Sequence, residues 1–349
     1  MQYFRAIGKE EVWDIEVEED HSYLAQGLFH HNSCRDPNLQ QLPKKGFGDF
    51  NVKEMYVSRF GKLGCLYGSD FSQIELRIMA AVSGDKSMVD AYLNDIDLHT
   101  LTASRLFKLP YDTFSKDNMR RLEDEGHVKE AKDLRLKRDI AKTCNFLTGY
   151  GGGAFGLQTV LANNQVYWQI ERCEELIKLF FESYPGVRDL LRYYKGFIQD
   201  RNLAVSMFGR IRVFEEAHSD DPEIASKALR AGCNHLIQST ASDMMLMCLV
   251  IIEQLMREAG LESVLISTVH DSLVIDALRS ELPVIHDIVD TVLNNMPEFF
   301  KDFLGQDYDT SWMIVPFAGD SEVGLNYADM RSIPKGNVDW DHLLGLKAA

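Results

Sequence analysis

The sequence predicts an α+β protein, mainly helical, in which a few strands carry the chemistry. Three observations lead there. Apolar, strand-like runs at 63–67 and 264–269 lead into one aspartate each, Asp70 and Asp271, about two hundred residues apart. From about 86 to 260 the apolar spacing is mainly helical. The first 32 residues read instead as short β elements, with Val12, Ile15 and Val17 among acids and Gly27 breaking the run before Leu28-Phe29.

Residues 33–60 are loop-rich, with a turn at Asp36-Pro37-Asn38. A strand at 63–68 is followed by a helix from Ser72, on which Ile74, Ile78 and Val82 recur every fourth position until Ser83-Gly84-Asp85 ends it. Glu75 stands three after Ser72, the spacing of a capping box. The helical block is interrupted at Gly149 to Gly153, at Pro185-Gly186, and at 203–215, which reads as a hairpin. The run 264–277 predicts two strands joined by a tight turn at His270-Asp271-Ser272. A helix around 281–295, a strand near 311–316 and an appended tail after Pro334 complete the chain.

At 349 residues the chain can bury a large core, and more than one domain is expected. The apolar run Met244 to Ile252 is too short to span a bilayer, and no secretory signal opens the sequence. No membrane is therefore expected. Cys34, Cys65, Cys144, Cys173, Cys233 and Cys248 form no Cys-x-x-Cys pair, which argues against zinc and for a reducing, cytoplasmic compartment. The net charge of −16 is unusual for a nucleic-acid protein, but it is uneven. Residues 1–32 hold seven acidic and two basic residues, whereas Arg105 to Lys142 holds eleven basic and eight acidic ones.

Two carboxylates brought together at strand ends make a site for two divalent metals that can activate an attacking oxygen and stabilise a leaving one. Arg138, Lys142 and Phe146 follow one another at one-turn intervals on a helix that Tyr150-Gly151 closes. Two cations and an aromatic in that order can hold a triphosphate and stack near a base.

Together these segments resemble the family A, or DNA polymerase I-like, DNA polymerases. Asp70-Phe71-Ser72-Gln73-Ile74-Glu75-Leu76-Arg77 is similar to motif A, Arg138 through Gly151 to motif B, and His270-Asp271 to motif C. Asp36-Pro37-Asn38-Leu39-Gln40, Phe208-Gly209-Arg210, and Asn234 through Gln238 with Thr240-Ala241-Ser242-Asp243 add three lesser matches, from about residue 33 to 331. The resemblance implies a right-hand polymerase, with an antiparallel palm sheet and helical fingers between motifs A and C. The expected parts are palm at 33–95 and 233–331, fingers at 96–232 and a tail at 332–349. It implies two Mg²⁺ ions bound by Asp70, Asp271 and the Phe71 carbonyl. Arg138 and Lys142 would grip the incoming dNTP, Phe146 would pack on its sugar, and Tyr150 would sit by the templating base. Glu75 would exclude a 2′-hydroxyl. Gln73, also beside the nucleotide, would join Arg230, Asn234, Gln238 and His270 against primer-template DNA. Phe71, Ser272 and Leu147 depart from the family's usual Tyr, Glu and Gly.

Each assignment has a bland rival. Glu75 could be only a helix cap, Asn234 and Gln238 surface polars, and His270 a turn residue. A single-subunit RNA polymerase shares the palm, but Glu75 and Asp36-Pro37-Asn38 favour DNA. A non-catalytic remnant is the other rival, against which Asp70, Asp271, Arg138 and Lys142 stand intact.

Residues 1–32 are similar to the C-terminal end of an intein. His21, with Asp14 seven residues before it, matches the terminal block, and His31-Asn32 followed by Ser33 matches a splice junction. An Asn side chain can attack its own carbonyl while a neighbouring His protonates the leaving amine. The next residue must carry a hydroxyl or thiol to receive the upstream polypeptide as an ester. The expectation is a split intein: a separate protein would carry the other half of the polymerase and an N-intein, and this chain would be inactive until spliced to it.

Overall fold

A computed structural model describes residues 51–269 and 271–346 in full, and residues 22–25 and 28–31 by their backbone alone. His21, Asn32, Ser33, His270 and the turn at 36–38 lie outside the described residues. β1 (Ser22–Ala25) and β2 (Leu28–His31) pair antiparallel, with Ser22 opposite His31.

β3 (Gly64–Phe71) runs from an apolar start into the first aspartate. α1 (Ile74–Ser83) follows after Gln73, which adopts a left-handed conformation with φ of 56°. No side chain caps α1, so the box expected between Ser72 and Glu75 does not form. The left-handed Gln73 starts the helix two residues after Ser72 and removes the geometry the box needs. Gly84, at φ 58°, ends the helix as the sequence predicts.

Helices dominate the segment that follows. α2 (Lys86–Leu93) and α3 (Leu98–Phe107) are capped by Asp85 and Asp97, and Ser115 caps α4 (Lys116–Asp124). α5 (Val128–Gly149) carries Arg138, Lys142 and Phe146. α6 (Ala154–Asn163), α7 (Ile170–Ser183) and α8 (Pro185–Arg201) complete the helical block, with Pro185 opening α8 rather than merely breaking the chain. β4 (Leu203–Val205) and β5 (Ile211–Val213) form the expected hairpin. α9 (Pro222–Glu258) spans 37 residues and packs against α1, α8 and α10 (Leu282–Asn294). By length and composition α9 could cross a membrane, but 61% of its apolar window is buried inside the fold. The expected domain boundary at 232/233 falls within this single helix.

β6 (Val264–Val269) and β7 (Ser272–Leu278) make the predicted hairpin. α11 (Met296–Leu304) follows α10 directly. β8 (Gly319–Gly324) and β9 (Arg331–Ser332) complete an antiparallel sheet of order β6-β7-β3-β8-β9. The strand expected near 311–316 is absent. Backbone bonds from Met313 to Thr310 and from Ile314 to Trp312, both 2.9 Å, fold that segment into turns. Its apolar residues pack instead of pairing: Trp312 meets the rings of Phe208 and Phe317, while Met313 and Val315 are buried. The short helix α12 (Trp340–Leu343) sets Trp340 edge-on to His286 at 5.7 Å, docking the tail on α10.

β3 is the middle strand. Cys65, Leu66, Tyr67 and Ser69 are buried, and Asp70 is the one exposed residue of the eight. The Asp70 carboxylate, at the end of an otherwise covered strand, contributes nothing to the core.

Candidate active site

The sheet register brings the two aspartates together. Asp70 lies opposite Ser272 on β7 and Asp320 on β8, and Asp271 directly precedes Ser272. The Phe71 N–H donates to the Asp271 carbonyl at 3.0 Å, which fixes the two strand ends against each other. Partial burial raises the Asp70 carboxyl well above the usual carboxylate range, and the adjacent Asp271, Glu322 and Asp320 push it the same way. Burial also raises Glu322. The Ser272 hydroxyl donates to the Val269 carbonyl at 2.8 Å and helps close the turn.

The loop after Asp70 is clamped. Arg77 Nε donates to the Ser72 carbonyl at 2.7 Å, and its guanidinium lies 4.6 Å from the centre of the Tyr92 ring. The Tyr92 hydroxyl in turn donates to Gln73 Oε1 at 3.1 Å. Beyond this loop a cleft of about 470 Å³ opens, lined by Gln73, Glu75, Phe146, Gln238, Ser242 and Asp271 among others. Motifs distant in sequence thus share one wall-to-wall space. Lys142 is exposed. Arg138 is held by Asp97, with Nη2 at 3.0 Å from Oδ1, and donates to Thr100 from Nε at 3.1 Å. The Phe146 and Tyr150 ring centres are 6.4 Å apart.

Glu75 accepts a hydrogen bond from the Tyr150 hydroxyl across α1 and α5. Burial and the Glu75 carboxylate both push the Tyr150 phenol upward. Gly149 leaves room where α1 meets α5: a Cβ there would stand 2.2 Å from the Met79 methyl, which would have to shift. On α9, Asn234 Nδ2 donates to Gln238 Oε1 at 2.9 Å, while Asn234 Oδ1 is buried without a partner. Arg230 donates to Ser226 at 2.6 Å. In the β4–β5 hairpin, Arg210 Nη2 reaches buried Asp243 at 2.6 Å, tying two of the lesser matches to each other.

Residues 31–328 match the model of the DNA polymerase family A. The chain belongs to DNA polymerase family A. It is 32% identical over 305 residues to a DNA polymerase of Bacillus phage SP01, covering 85% of this chain and 30% of that protein. It is 30% identical over 306 residues to the DNA polymerase I of Chloroflexus aurantiacus, covering 87% of this chain and 28% of that protein. The POL domain of Pol1 from M. smegmatis, solved in complex with DNA primer-template and dNTP, superposes with a TM-score of 0.66. That structure is 25% identical, with 84% of this chain and 45% of that one covered. The chain therefore spans less than a third of the length of these curated relatives.

For a family A chain the donor set at Asp70 suits a hard divalent cation. The ligating groups are carboxylate oxygens, and the crowding of negative charge around Asp70 is what a cation would relieve. No group of three or more His, Cys, Asp or Glu side chains among the described residues is arranged to hold a metal. Mg²⁺ is commonly bound by one or two carboxylates with substrate phosphates and water, so the pair is sufficient.

Sequence reasoning missed the layer behind the motif B helix of this family A chain. His99 is buried, with its ring 5.7 Å from Phe146 and its Nδ1 2.9 Å from Asn145 Nδ2. Thr102 bonds Asn145 at 2.9 Å and Tyr184 at 2.7 Å, so one polar network braces α5 from α3 and from the junction between α7 and α8. The available signal was Asp97, an N-cap residue, two before His99. Burial would raise Asp97, but bonds from Thr100 and the Arg138 cation hold it below its usual range. Burial pushes the His99 ring down to about 4, against the opposing pull of Asp97. Above the unfolded value of about 6.5 this costs nothing. As pH falls from there towards 4, the unfolded chain takes up a proton that the folded ring refuses, and stability is lost. Melting temperature should therefore fall more steeply across that window in the native chain than in His99→Gln. Parallel curves would show that the ring titrates normally.

Proposed function

We propose that this chain is the catalytic C-terminal part of a DNA-directed DNA polymerase that adds dNTPs to a primer 3′ end as a template directs. The observation that carries the reading is the meeting of Asp70, at the end of β3, with Asp271, in the turn before the adjacent antiparallel β7, where Asp271 lines a cleft that also holds Phe146 and Gln238. Asp70, Asp271 and the Phe71 carbonyl would hold two Mg²⁺ ions, which supply charge stabilisation to the entering and leaving oxygens. Lys142, exposed one turn before Phe146, holds the triphosphate by its charge. Arg138 serves the same end, and Asp97 and Thr100 set the direction of its guanidinium beforehand. Phe146 packs against the sugar and Tyr150 stands by the templating base. Gln73, Arg230, Asn234, Gln238 and His270 position primer and template. The buried, unpartnered Asn234 Oδ1 supports a polar ligand on that face. The palm would be 33–95 and 233–331, with the sheet and α1, and the fingers 96–232, with α3 to α8. The relatives are bacterial and phage proteins, which fits a cytoplasmic enzyme.

The Glu75 gate has a direct test. Its carboxylate faces the cleft and is braced by Tyr150, with no capping bond to explain it. Glu75→Ala should raise ribonucleotide incorporation relative to deoxyribonucleotide and lower overall efficiency, because room opens for a 2′-hydroxyl and Tyr150 loses its partner. Single-nucleotide incorporation of matched rNTP and dNTP by the complete polymerase reads the ratio. An unchanged ratio refutes the gate, and absence of template-directed incorporation by the unsubstituted enzyme refutes the polymerase reading.

The segment 1–32 is the second part of the reading: an intein C-terminal segment, with His21, His31, Asn32 and Ser33 carrying the splicing steps. Two observations support it. The family match starts at 31, beside the proposed junction, and β1–β2 places a β hairpin directly before it. A separate protein with the upstream polymerase sequence and an N-intein would be the partner, and activity would follow ligation.

A further inference from the structure

The family match ends at 328, so β9, α12 and the tail lie beyond it. That tail is nonetheless built into the fold. β9 sets Arg331 opposite Val323 of β8, and the Ile333 N–H donates to the Ser321 carbonyl at 2.8 Å. The Arg331 guanidinium reaches across and donates from Nη1 to the Leu343 carbonyl at 2.9 Å. Leu344 is buried, and Trp340 stands edge-on to His286 of α10. The tail is thus a strap from the sheet edge to α10, fastened at both ends.

Beneath Trp340 a chain of hydrogen bonds leads towards the site. His286 Nδ1 is 3.0 Å from the Tyr67 hydroxyl. That hydroxyl donates to Ser321 Oγ at 2.9 Å, and Ser321 donates to Ser69 Oγ at 3.2 Å. The one phenolic proton goes to Ser321, so His286 supplies its own from Nδ1. Burial pushes the Tyr67 phenol well above its usual range, so the hydroxyl stays protonated. Ser69 directly precedes Asp70, and Ser321 stands between Asp320 and Glu322. By strand alternation, Tyr67, Ser69 and Ser321 share the face that α10 covers, and Asp70 and Asp320 share the other. Among the described residues β9 pairs with β8 only at Glu322 and Val323, short of Asp320. Side-chain bonds from behind therefore hold the strand ends where the outer ladder stops.

We propose that the tail is a positioning strap for the Asp70 end of β3: Trp340 holds His286, and His286, Tyr67 and Ser321 pass that hold to Ser69. The strap stands on its own geometry, and its effect on incorporation rests on the polymerase reading. Backbone amide exchange of the full chain, read by mass spectrometry, tests it in the native chain, Tyr67→Phe, Trp340→Ala, Trp340→Phe and Tyr67→Phe/Trp340→Ala. Tyr67→Phe keeps the ring and removes the hydroxyl, so exchange over 69–71 should rise about fivefold, the net worth of one hydrogen bond. Trp340→Ala should do the same, and 64–67 should keep the native rate in both. Trp340→Phe keeps an aromatic edge on His286 and should exchange at close to the native rate. The double variant should be no faster than Tyr67→Phe, because both changes act through one chain of bonds. Unchanged exchange over 69–71, equal acceleration along all of β3, or additive effects in the double variant would overturn the proposal. In the complete polymerase, Tyr67→Phe and Trp340→Ala should each lower the maximal incorporation rate about fivefold and leave the KM for dNTP unchanged. A native rate there would also overturn it. Absence of incorporation by the unsubstituted enzyme would instead refute the polymerase reading, and the exchange result would stand.

Discussion

Asp70→Asn and Asp271→Asn should each lower nucleotide incorporation by the complete polymerase a hundredfold or more, about 3 kcal/mol of transition-state stabilisation. The substitution keeps the shape of the side chain and removes its charge. Only a role for that charge can then explain the loss. Stability gives the control. The Asp70 carboxyl is raised by burial and by Asp271, Glu322 and Asp320, so its ionised form opposes folding at neutral pH. Asp70→Asn should therefore melt at the native temperature or slightly above it while losing activity. Pre-steady-state incorporation and a melting curve on the same sample separate the outcomes. Near-native incorporation would mean that the carboxylate pair is misassigned, and a lowered melting temperature would mean that Asp70 has a structural role.

The parts of the fold legible in the sequence were those where local pattern and burial agree. β3 and β7 are short, almost continuously buried runs, and α5 keeps its helical spacing, so tertiary packing does not overrule them. The 311–316 segment shows the reverse. Trp312, Met313 and Val315 are apolar because they plug a loop, whereas β8 is paired and polar because Asp320 and Glu322 stand at the charged end of the sheet. Burial, not alternation, explains the first. At the site, motif spacing indicated which residues belong together. It could not show what Glu75 touches, since Tyr150 is seventy-five residues away. Nor could it show that Arg138 is already held by Asp97, an ion pair formed between α3 and α5. Both are contacts between elements, which no single helical period encodes. The Ser72–Glu75 box fails for a local reason that the sequence hides: a left-handed Gln73, held by Tyr92, starts α1 later than the serine suggests.

Mixing this chain with a protein that carries the upstream polymerase sequence and an N-intein should yield one longer polypeptide and a free peptide ending at Asn32. The residue types set the result. The Asn32 side-chain nitrogen would attack the Asn32 carbonyl carbon, the bond to Ser33 would break, and the freed peptide would end in a succinimide. His31 would supply a proton to the departing Ser33 amine. Before that step, the Ser33 hydroxyl would have accepted the upstream polypeptide as an ester, and the freed amine would then take it over as an ordinary peptide bond. Asn32→Ala removes the attacking amide, so a branched ester intermediate should accumulate while C-terminal cleavage stops. Ser33→Ala removes the ester acceptor, so no ligated product should form even where cleavage continues. His21→Ala and His31→Ala should slow the reaction without changing its products. Intact-mass spectrometry of the mixtures distinguishes these species directly, since branched ester, ligated chain and free peptide differ in mass or in sensitivity to alkaline hydroxylamine. Ligation at the native rate by Asn32→Ala or Ser33→Ala would refute this splicing mechanism, and absence of ligation by the native chain would show that 1–32 is a leader with a coincidental ending. Primer extension that appears only after ligation would show that splicing is the switch that turns the polymerase on.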